Sequence, residues 1–141
     1  MELNTSIKII AVDFDSTLTL NEDVYPECGT PNEPAIALLK KYRENGGKLI
    51  LWTCRYGKPL FNALKFCSDY GLYFDAVNDN LPEQSALWRE SHPNAEMSRK
   101  IFAHLYIDDK DPRSVLMGGV DWNSISMLLF QKPLNEVVDL S

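Results

Sequence analysis

The sequence contains few of the residues that build disulfide frameworks or zinc sites. Only three of its 141 residues are cysteines and only two are histidines. Cys28, Cys54 and Cys67 show no C-x-x-C spacing and leave an odd count, which favours a reducing compartment over disulfide pairing. His92 and His104 lie far apart with no second metal-type pair, so a zinc site is disfavoured.

Long apolar runs and surplus positive charge are also missing. The first ten residues carry no basic region followed by an apolar run, and no apolar segment approaches the length of a membrane-spanning helix. There are 14 Lys and Arg against 20 Asp and Glu, for a net charge of −6. Because nucleic acids and anionic membranes are bound by surplus cations, we expect a cytoplasmic protein with neither kind of partner. A small anionic substrate needs only a local positive site.

Several catalytic motifs are absent. The sequence has no P-loop G-x-x-x-x-G-K-[ST] and no dinucleotide-binding G-x-G-x-x-G. A cysteine phosphatase needs an arginine as the sixth residue after its cysteine, but those positions hold Pro34, Leu60 and Tyr73. The sequence therefore disfavours a P-loop NTPase, a dinucleotide-dependent oxidoreductase and a cysteine phosphatase.

Strand-like and helix-like segments alternate along the chain. Apolar runs predict strands at residues 9–12, 48–53, 73–77 and 103–107. Between and after them, patterns typical of helices begin near Pro34 with a cap at Asn32, run from Pro59 to Tyr70, and cover residues 83–90 and 122–130. This alternation predicts one α/β domain over residues 1–141, a three-layer Rossmann-like fold with a mainly parallel central sheet and helices on both faces.

Polar side chains follow three of the predicted strands, at the point where each strand ends. They are Asp13 and Asp15, Thr53, and Asp108 with Asp109. In parallel α/β folds ligands bind outside the carboxyl ends of the strands. Two carboxylates about 4 Å apart repel by roughly 4 kcal/mol at an effective dielectric of about 20, and a cation relieves that repulsion. Oxygen ligands favour a hard divalent ion such as Mg²⁺.

The motifs themselves resemble those of the haloacid dehalogenase-like (HAD) hydrolase superfamily. "DFDSTLT" is similar to the family's first motif, although Ser16 stands where many members carry glycine. Thr53 at the end of "LILWT" resembles the second motif, Lys100 in "SRKIFAHLYIDD" the third, and Asp108 with Asp109 the fourth. The resemblance runs from about residue 9 to residue 111 and leaves no room for an inserted cap domain.

The resemblance implies a Mg²⁺-dependent phosphatase, a phosphoric monoester hydrolase that acts through an aspartyl-phosphate. Asp13 would be the nucleophile, and Asp15 would protonate the leaving group and later activate water. Thr53 would bind a phosphoryl oxygen and Lys100 would offset the negative charge. The implied metal ligands are Asp13, Asp15 through its backbone carbonyl, Asp108 and Asp109.

Some assignments stay open. Lys110 and Lys65 are alternatives to Lys100, and Arg55 either binds substrate from the loop after Thr53 or is exposed on the surface. Two other functions also remain: a catalytically silent Mg²⁺- or phosphate-binding module of the same fold, and a nucleic-acid end phosphatase, which the acidic charge disfavours.

Substrate selection has to come from something other than a cap. The segment from Leu20 to Pro31 contains three prolines or glycines among other turn formers, a composition typical of a short flap. We therefore expect a small phosphorylated substrate in a partly open site, or a homo-oligomer in which a second copy covers the site.

Overall fold

The structure, a computed structural model, describes residues 2–140. It is an α/β fold with a four-stranded, all-parallel sheet flanked by helices, consistent with a three-layer Rossmann-like architecture. The elements are β1 (Ile9–Val12), α1 (Glu33–Glu44), β2 (Lys48–Leu51), α2 (Gly57–Asp69), β3 (Ala76–Val77), α3 (Pro82–Ser91), β4 (Leu105–Ile107), α4 (Pro112–Met117), α5 (Trp122–Phe130) and α6 (Leu134–Val137). Within the described chain, no helix has both the length and the apolar character needed to cross a membrane.

The strand order places one crevice where two acidic segments meet. The order is β3-β2-β1-β4, so the chain adds strands on one side of β1 and then crosses to the other. Ligands of such sheets bind at this reversal, outside the carboxyl ends of the strands. Val12 pairs with Ile107, and the N–H of Asp13 donates to the carbonyl of Ile107 at 2.9 Å. The residues that follow β1 and β4 therefore emerge side by side.

Strand β1 is buried on both faces, as its unbroken apolar sequence predicts. Successive side chains of a strand point to opposite faces. Ile10 and Val12 enter an apolar cluster with residues of α1, α2 and α5, whereas Ile9 and Ala11 pack with Leu81, Ile101 and neighbouring groups on the other face. The central strand is held from both sides, which fixes the position of its carboxyl end.

Helix boundaries follow the sequence closely, and strand boundaries less so. Helix α1 is capped as predicted, since Asn32 Oδ1 accepts a hydrogen bond from the N–H of Ala35 at 3.4 Å. Strand β2 ends at Leu51 rather than at Thr53, because the N–H of Thr53 turns to the side chain of Asn78. The short helices α4 and α6 were not predicted, because six and four residues are too few to show a helical period.

Between β1 and α1, residues 20–31 form the flap, and no cap domain interrupts residues 2–140. An antiparallel bridge between Thr19 and Pro31 closes its base, and the N–H of Leu20 donates to the carbonyl of Thr30 at 2.9 Å. The carboxylate of Glu22 accepts a hydrogen bond from the N–H of Thr30. The flap is therefore a short, internally bonded loop beside the carboxyl end of β1.

Candidate active site

Three carboxylates meet at the crevice between β1 and β4. Among residues 2–140, the acidic side chains close enough to share a metal ion are Asp13, Asp108 and Asp109, with one oxygen of each lying within 4.8 Å of the others. Asp13 follows β1, and the other two follow β4. The convergence that the sequence predicts for these three acids is confirmed. We refer to them as the carboxylate cluster.

The cluster holds more negative charge than its surroundings balance. Burial, followed by the nearby charge of Asp108, raises the pKa of Asp13 to about 7, although the Thr17 hydroxyl donates to Asp13 Oδ2 at 3.1 Å. Burial and a hydrogen bond with Asp109 also raise the pKa of Asp108. Burial acts in the same direction on Asp109, but hydrogen bonds from Lys110 and Asp108 outweigh it and lower its pKa.

This donor set fits a hard divalent cation. All the side-chain ligands on offer are carboxylate oxygens, which Mg²⁺ and similar ions prefer. Burial first and the neighbouring carboxylates second raise the pKa of Asp13 and Asp108, and a cation between them would offset both causes by stabilising the charged carboxylates. Asp13, Asp108 and Asp109 are therefore the residues that could hold Mg²⁺. The part assigned to the backbone carbonyl of Asp15 stays a prediction.

The side chain of Asp15 leaves the cluster. Its carboxylate accepts two hydrogen bonds from Arg55, at 2.9 Å from Nε and 2.7 Å from Nη2. The alternation of a strand ends at Val12, and the chain then turns through Ser16, whose φ of 59° lies in the left-handed region. Phe14 is fully buried between them, whereas Asp13 faces Thr17 and the other cluster carboxylates and Asp15 faces Arg55.

Arg55 is buried, with 1% of its side chain exposed, so of the two alternatives left open for it the exposed surface position is excluded. Each of its five N–H donors has a protein acceptor. Besides the two bonds to Asp15, Nη1 donates to the carbonyls of Pro26 at 2.8 Å and Pro59 at 3.3 Å, and Nη2 to that of Glu27 at 2.7 Å. The hydrogen bonds to Asp15 raise the pKa of Arg55. A direct bond from Arg55 to substrate stays a prediction.

Thr53 lies in the loop after β2, which is fixed by two hydrogen bonds. Its N–H donates to Asn78 Oδ1 at 2.8 Å, and its hydroxyl accepts from the N–H of Arg55 at 3.1 Å. Asn78 has a φ of 51°, a conformation that asparagine tolerates better than most residues. Sequence reasoning missed Asn78 and Thr17. Thr17 lies in "DFDSTLT" at the position that resembles the threonine of the family's first motif, which is the signal that could have identified it.

The candidate lysines lie in three different settings. Lys110 Nζ is 2.8 Å from Asp109 Oδ2, at the exposed rim of the cluster. Lys65 pairs with Asp69 on the exposed surface of α2. Lys100 Nζ lies 5.7 Å from the centre of the Tyr106 ring. The choice between Lys100 and Lys110 stays a prediction.

Two cavities adjoin these lysines. One of about 520 Å³ is lined by Lys100 and by aromatic side chains that include Trp88 and Tyr106. A smaller one, about 220 Å³, lies beside the cluster and is lined by groups that include Ser16 and Lys110. Pockets that take drug-sized ligands span about 300–1,000 Å³, so the cavity beside the cluster suits a small ligand.

Among solved structures, the chain is similar to a conserved protein from Bacteroides thetaiotaomicron. The two are 33% identical, the match covers 99% of each chain, and the TM-score is 0.68. The likeness therefore extends over the sheet, the flap and the loop that carries Lys100. No protein-family model matches the sequence. No curated protein sequence gives a significant match.

Proposed function

We propose that this chain, which belongs to the same family as the conserved Bacteroides thetaiotaomicron protein, is a Mg²⁺-dependent phosphatase. The observation that carries the proposal is the meeting of Asp13, Asp108 and Asp109 at the crevice between β1 and β4. Three converging carboxylates suit a divalent cation, and the leading one, Asp13, is the nucleophile that the motif resemblance implies. Hydrolysis of a phosphoric monoester is the reaction that uses both.

In the proposed reaction, a carboxylate oxygen of Asp13 bonds to phosphorus as the bond to the leaving oxygen breaks. Asp15 gives a proton to that oxygen. Water then attacks the aspartyl-phosphate, Asp15 takes a proton from it, and phosphate leaves while Asp13 is restored. Asp15 lies at the rim, with 45% of its side chain exposed, so it has access to both the leaving group and water.

The remaining residues act on charge and position. Asp13, Asp108 and Asp109 would hold Mg²⁺, which supplies electrostatic stabilisation of the phosphoryl oxygens when bound. The Thr53 hydroxyl would bind a phosphoryl oxygen, and its loop is already fixed by Asn78. A lysine ammonium would offset the charge of nucleophile and phosphate together.

The substrate class follows from the flap and the charge. A short flap in place of a cap leaves the site partly open, and the cavity of about 220 Å³ beside the cluster suits a small molecule. With a net charge of −6, a large polyanion would be repelled. A small phosphorylated substrate is therefore favoured. Light scattering would show whether a second copy is present to cover the site.

The experiment is a phosphate-release screen over sugar phosphates, nucleotides and phosphopeptides, with and without Mg²⁺. We expect Mg²⁺-dependent turnover of small substrates that falls to background in Asp13→Asn. Asp69→Asn is the matched control, because Asp69 forms an exposed ion pair on α2. It should retain full turnover.

Three results would contradict the proposal. Turnover that persists in Asp13→Asn would exclude Asp13 as the nucleophile. Binding of Mg²⁺ and phosphate without turnover of any substrate would favour the silent binding module. Selective release from nucleic-acid ends would favour an end phosphatase, and would also require a source of positive charge that the chain has little of.

A further inference from the structure

We propose that Arg55 is a positioning residue that ties the orientation of the Asp15 carboxylate to the position of the flap. The inference rests on the proposed function, since it assigns Arg55 a task in the proton transfer by Asp15. Arg55 has no role in the reaction as set out above. The structure gives its guanidinium two sets of partners, the Asp15 carboxylate and the main chain of the flap.

The hydrogen bonds leave Arg55 little freedom. Its bidentate pair with Asp15 fixes the plane of the carboxylate, because both N–H groups of a rigid fork must be satisfied together. The remaining donors meet three main-chain carbonyls, two of them in the flap, at Pro26 and Glu27. A buried guanidinium that lost any of these partners would be left with unpaired donors, which is costly. Flap and carboxylate are therefore held as one unit.

Two aromatic rings also hold the Arg55 guanidinium in this position. The guanidinium carbon lies 5.0 Å from the centre of the Phe14 ring and 5.0 Å from that of the Tyr25 ring. Phe14 is the core residue between Asp13 and Asp15, and Tyr25 belongs to the flap. Arg55 thus lies between the first motif on one side and the flap on the other. Cation–π contacts of this kind favour the charged, fixed guanidinium.

The arrangement leaves Asp15 able to exchange a proton. A carboxylate has about four lone-pair positions, and Arg55 takes one on each oxygen. With part of the side chain exposed, the others remain open to a leaving oxygen or a water. Proton transfer requires that an Asp15 oxygen lie within hydrogen-bonding distance of the leaving oxygen or the water. A carboxylate that rotates freely would meet this condition less often. Arg55 acts through Asp15 and touches neither phosphate nor metal in this proposal.

The kinetic test compares two substrates that differ in how much they need the proton. An alkyl phosphate such as ethyl phosphate has a basic leaving oxygen, whereas the leaving group of p-nitrophenyl phosphate departs with little help. We expect Arg55→Lys, which cannot form the bidentate pair, to lower kcat/KM for ethyl phosphate by about 100-fold, because kcat/KM reports formation of the aspartyl-phosphate, the step in which Asp15 protonates the leaving oxygen. The loss in kcat/KM with p-nitrophenyl phosphate should be under about tenfold, whereas kcat, which also includes hydrolysis of the aspartyl-phosphate with Asp15 as base, falls for both substrates wherever that step is slow.

A second variant perturbs the flap without touching Arg55 or Asp15. Gly29 has a φ of 81°, and a Cβ there would lie 2.5 Å from Glu22 Oε1 and 2.9 Å from Val24 Cγ2. Gly29→Ala should therefore displace the flap and produce the same selective loss on ethyl phosphate. Arg43→Lys is the matched control, because Arg43 pairs with Asp75 near the start of β2, away from the carboxyl ends of the strands. It should leave the ratio of the two rates unchanged.

A third measurement needs no turnover. If Arg55 joins Asp15 to the flap, then Asp15→Ala should speed hydrogen exchange at the amides of Leu20 and Glu27, which bond within or at the base of the flap. Asp13→Asn, whose carboxylate belongs to the cluster, should not. The exchange measurement tests the connection from Asp15 through Arg55 to the flap even if the wild-type protein hydrolyses neither substrate. Such a lack of hydrolysis would count against the proposed function alone.

Equal losses of kcat/KM on both substrates in Arg55→Lys would overturn the proposal and leave Arg55 a purely structural residue. Unchanged flap exchange in Asp15→Ala would also overturn it. If Arg55→Lys does not fold, as judged by circular dichroism, Gly29→Ala and the exchange measurement decide the matter.

Discussion

Two sets of aspartates in this molecule differ in the groups that neutralise their charge. At the carboxyl ends of β1 and β4, Asp13 and Asp108 face other carboxylates, and burial raises their pKa values. At the starts of α4 and α5, Asp111 and Asp121 accept hydrogen bonds from Ser114 and from Ser124, and their pKa values fall.

At the helix starts, groups of the protein itself neutralise and hydrogen-bond the aspartates. Asp121 Oδ1 accepts from the N–H of Ser124 at 3.1 Å, Oδ2 accepts from its hydroxyl at 2.6 Å, and Arg113 adds an ion pair at 2.7 Å. The cluster is not complete, since its protein cation is Lys110 at the exposed rim. An aspartate at the start of a helix therefore stabilises the fold, whereas an aspartate of the cluster carries negative charge that few protein cations neutralise. Charge that the protein leaves unbalanced is available to a cation and a substrate from solution.

The largest expected effect tests which lysine serves the cluster. Lys100→Ala should lower kcat/KM by about 10²–10³-fold, or about 2.7–4 kcal/mol of barrier, the typical cost of losing one electrostatic donor. Lys110→Ala should have a much smaller effect, because the exposed Lys110 is screened by solvent. Steady-state kinetics on the best substrate of the screen measures both. The reverse ranking would assign the third motif to Lys110.

Mg²⁺ should stabilise the fold through the cluster. A ligand at about 100 times its Kd adds about 2.7 kcal/mol to the free energy of unfolding if it binds only the folded state. We expect Mg²⁺ to raise the Tm of wild-type protein, and Asp108→Asn to lose most of that rise. Without metal, Asp108→Asn should be as stable as wild type or more so, because it removes like-charge repulsion. Differential scanning calorimetry with and without Mg²⁺ provides the measurement, and an equal Mg²⁺ response in the two proteins would exclude the cluster as the site.

Substitution of an N-cap aspartate should affect stability in the opposite way to substitution of a cluster aspartate. Asp121→Ala should lower the free energy of unfolding by about 1 kcal/mol at pH 7, since α5 loses its N-cap, and Mg²⁺ should not restore it. Hydrogen bonds from Ser124, then Arg113, lower the pKa of Asp121 to about 2, below its usual 3.8. The stabilisation is therefore present above about pH 4 and is lost as the pH falls toward 2. Urea unfolding across this range should show the difference between variant and wild type shrinking, and a constant difference would refute the assignment.

The smallest effect concerns the turn that separates Asp15 from the cluster. Ser16 adopts a φ of 59°, a conformation that costs a non-glycine residue roughly 1 kcal/mol. Ser16→Gly relieves that cost but raises the backbone entropy of the unfolded state, which is lost on folding, so we expect a net gain of only about 0.5 kcal/mol. Thermal melts would detect it. A loss of stability would mean that the hydrogen bond from the Ser16 hydroxyl to Asn21 Oδ1 matters more than the backbone conformation of Ser16.

Local patterns in the sequence were enough to predict the fold and the cluster. The apolar run of β1 and the capped start of α1 are properties of short segments, and both formed as predicted. Asp13, Asp108 and Asp109 could be placed together because parallel strands end at one edge of a sheet, whatever lies between them in the chain.

The surroundings of Asp15 and Arg55 were decided by tertiary structure. Two residues 40 positions apart meet in a bidentate pair, and nothing in either local sequence names the other. Strand alternation would direct Asp15 toward the cluster, but the strand stops at Val12 and the turn at Ser16 redirects it. The five acceptors around Arg55 come from the turn after β1, from the flap and from the first turn of α2, and the packing of the elements brings these segments together. Periodicity specifies which face of an element is buried, whereas the partner of a buried charge depends on where the chain returns in space.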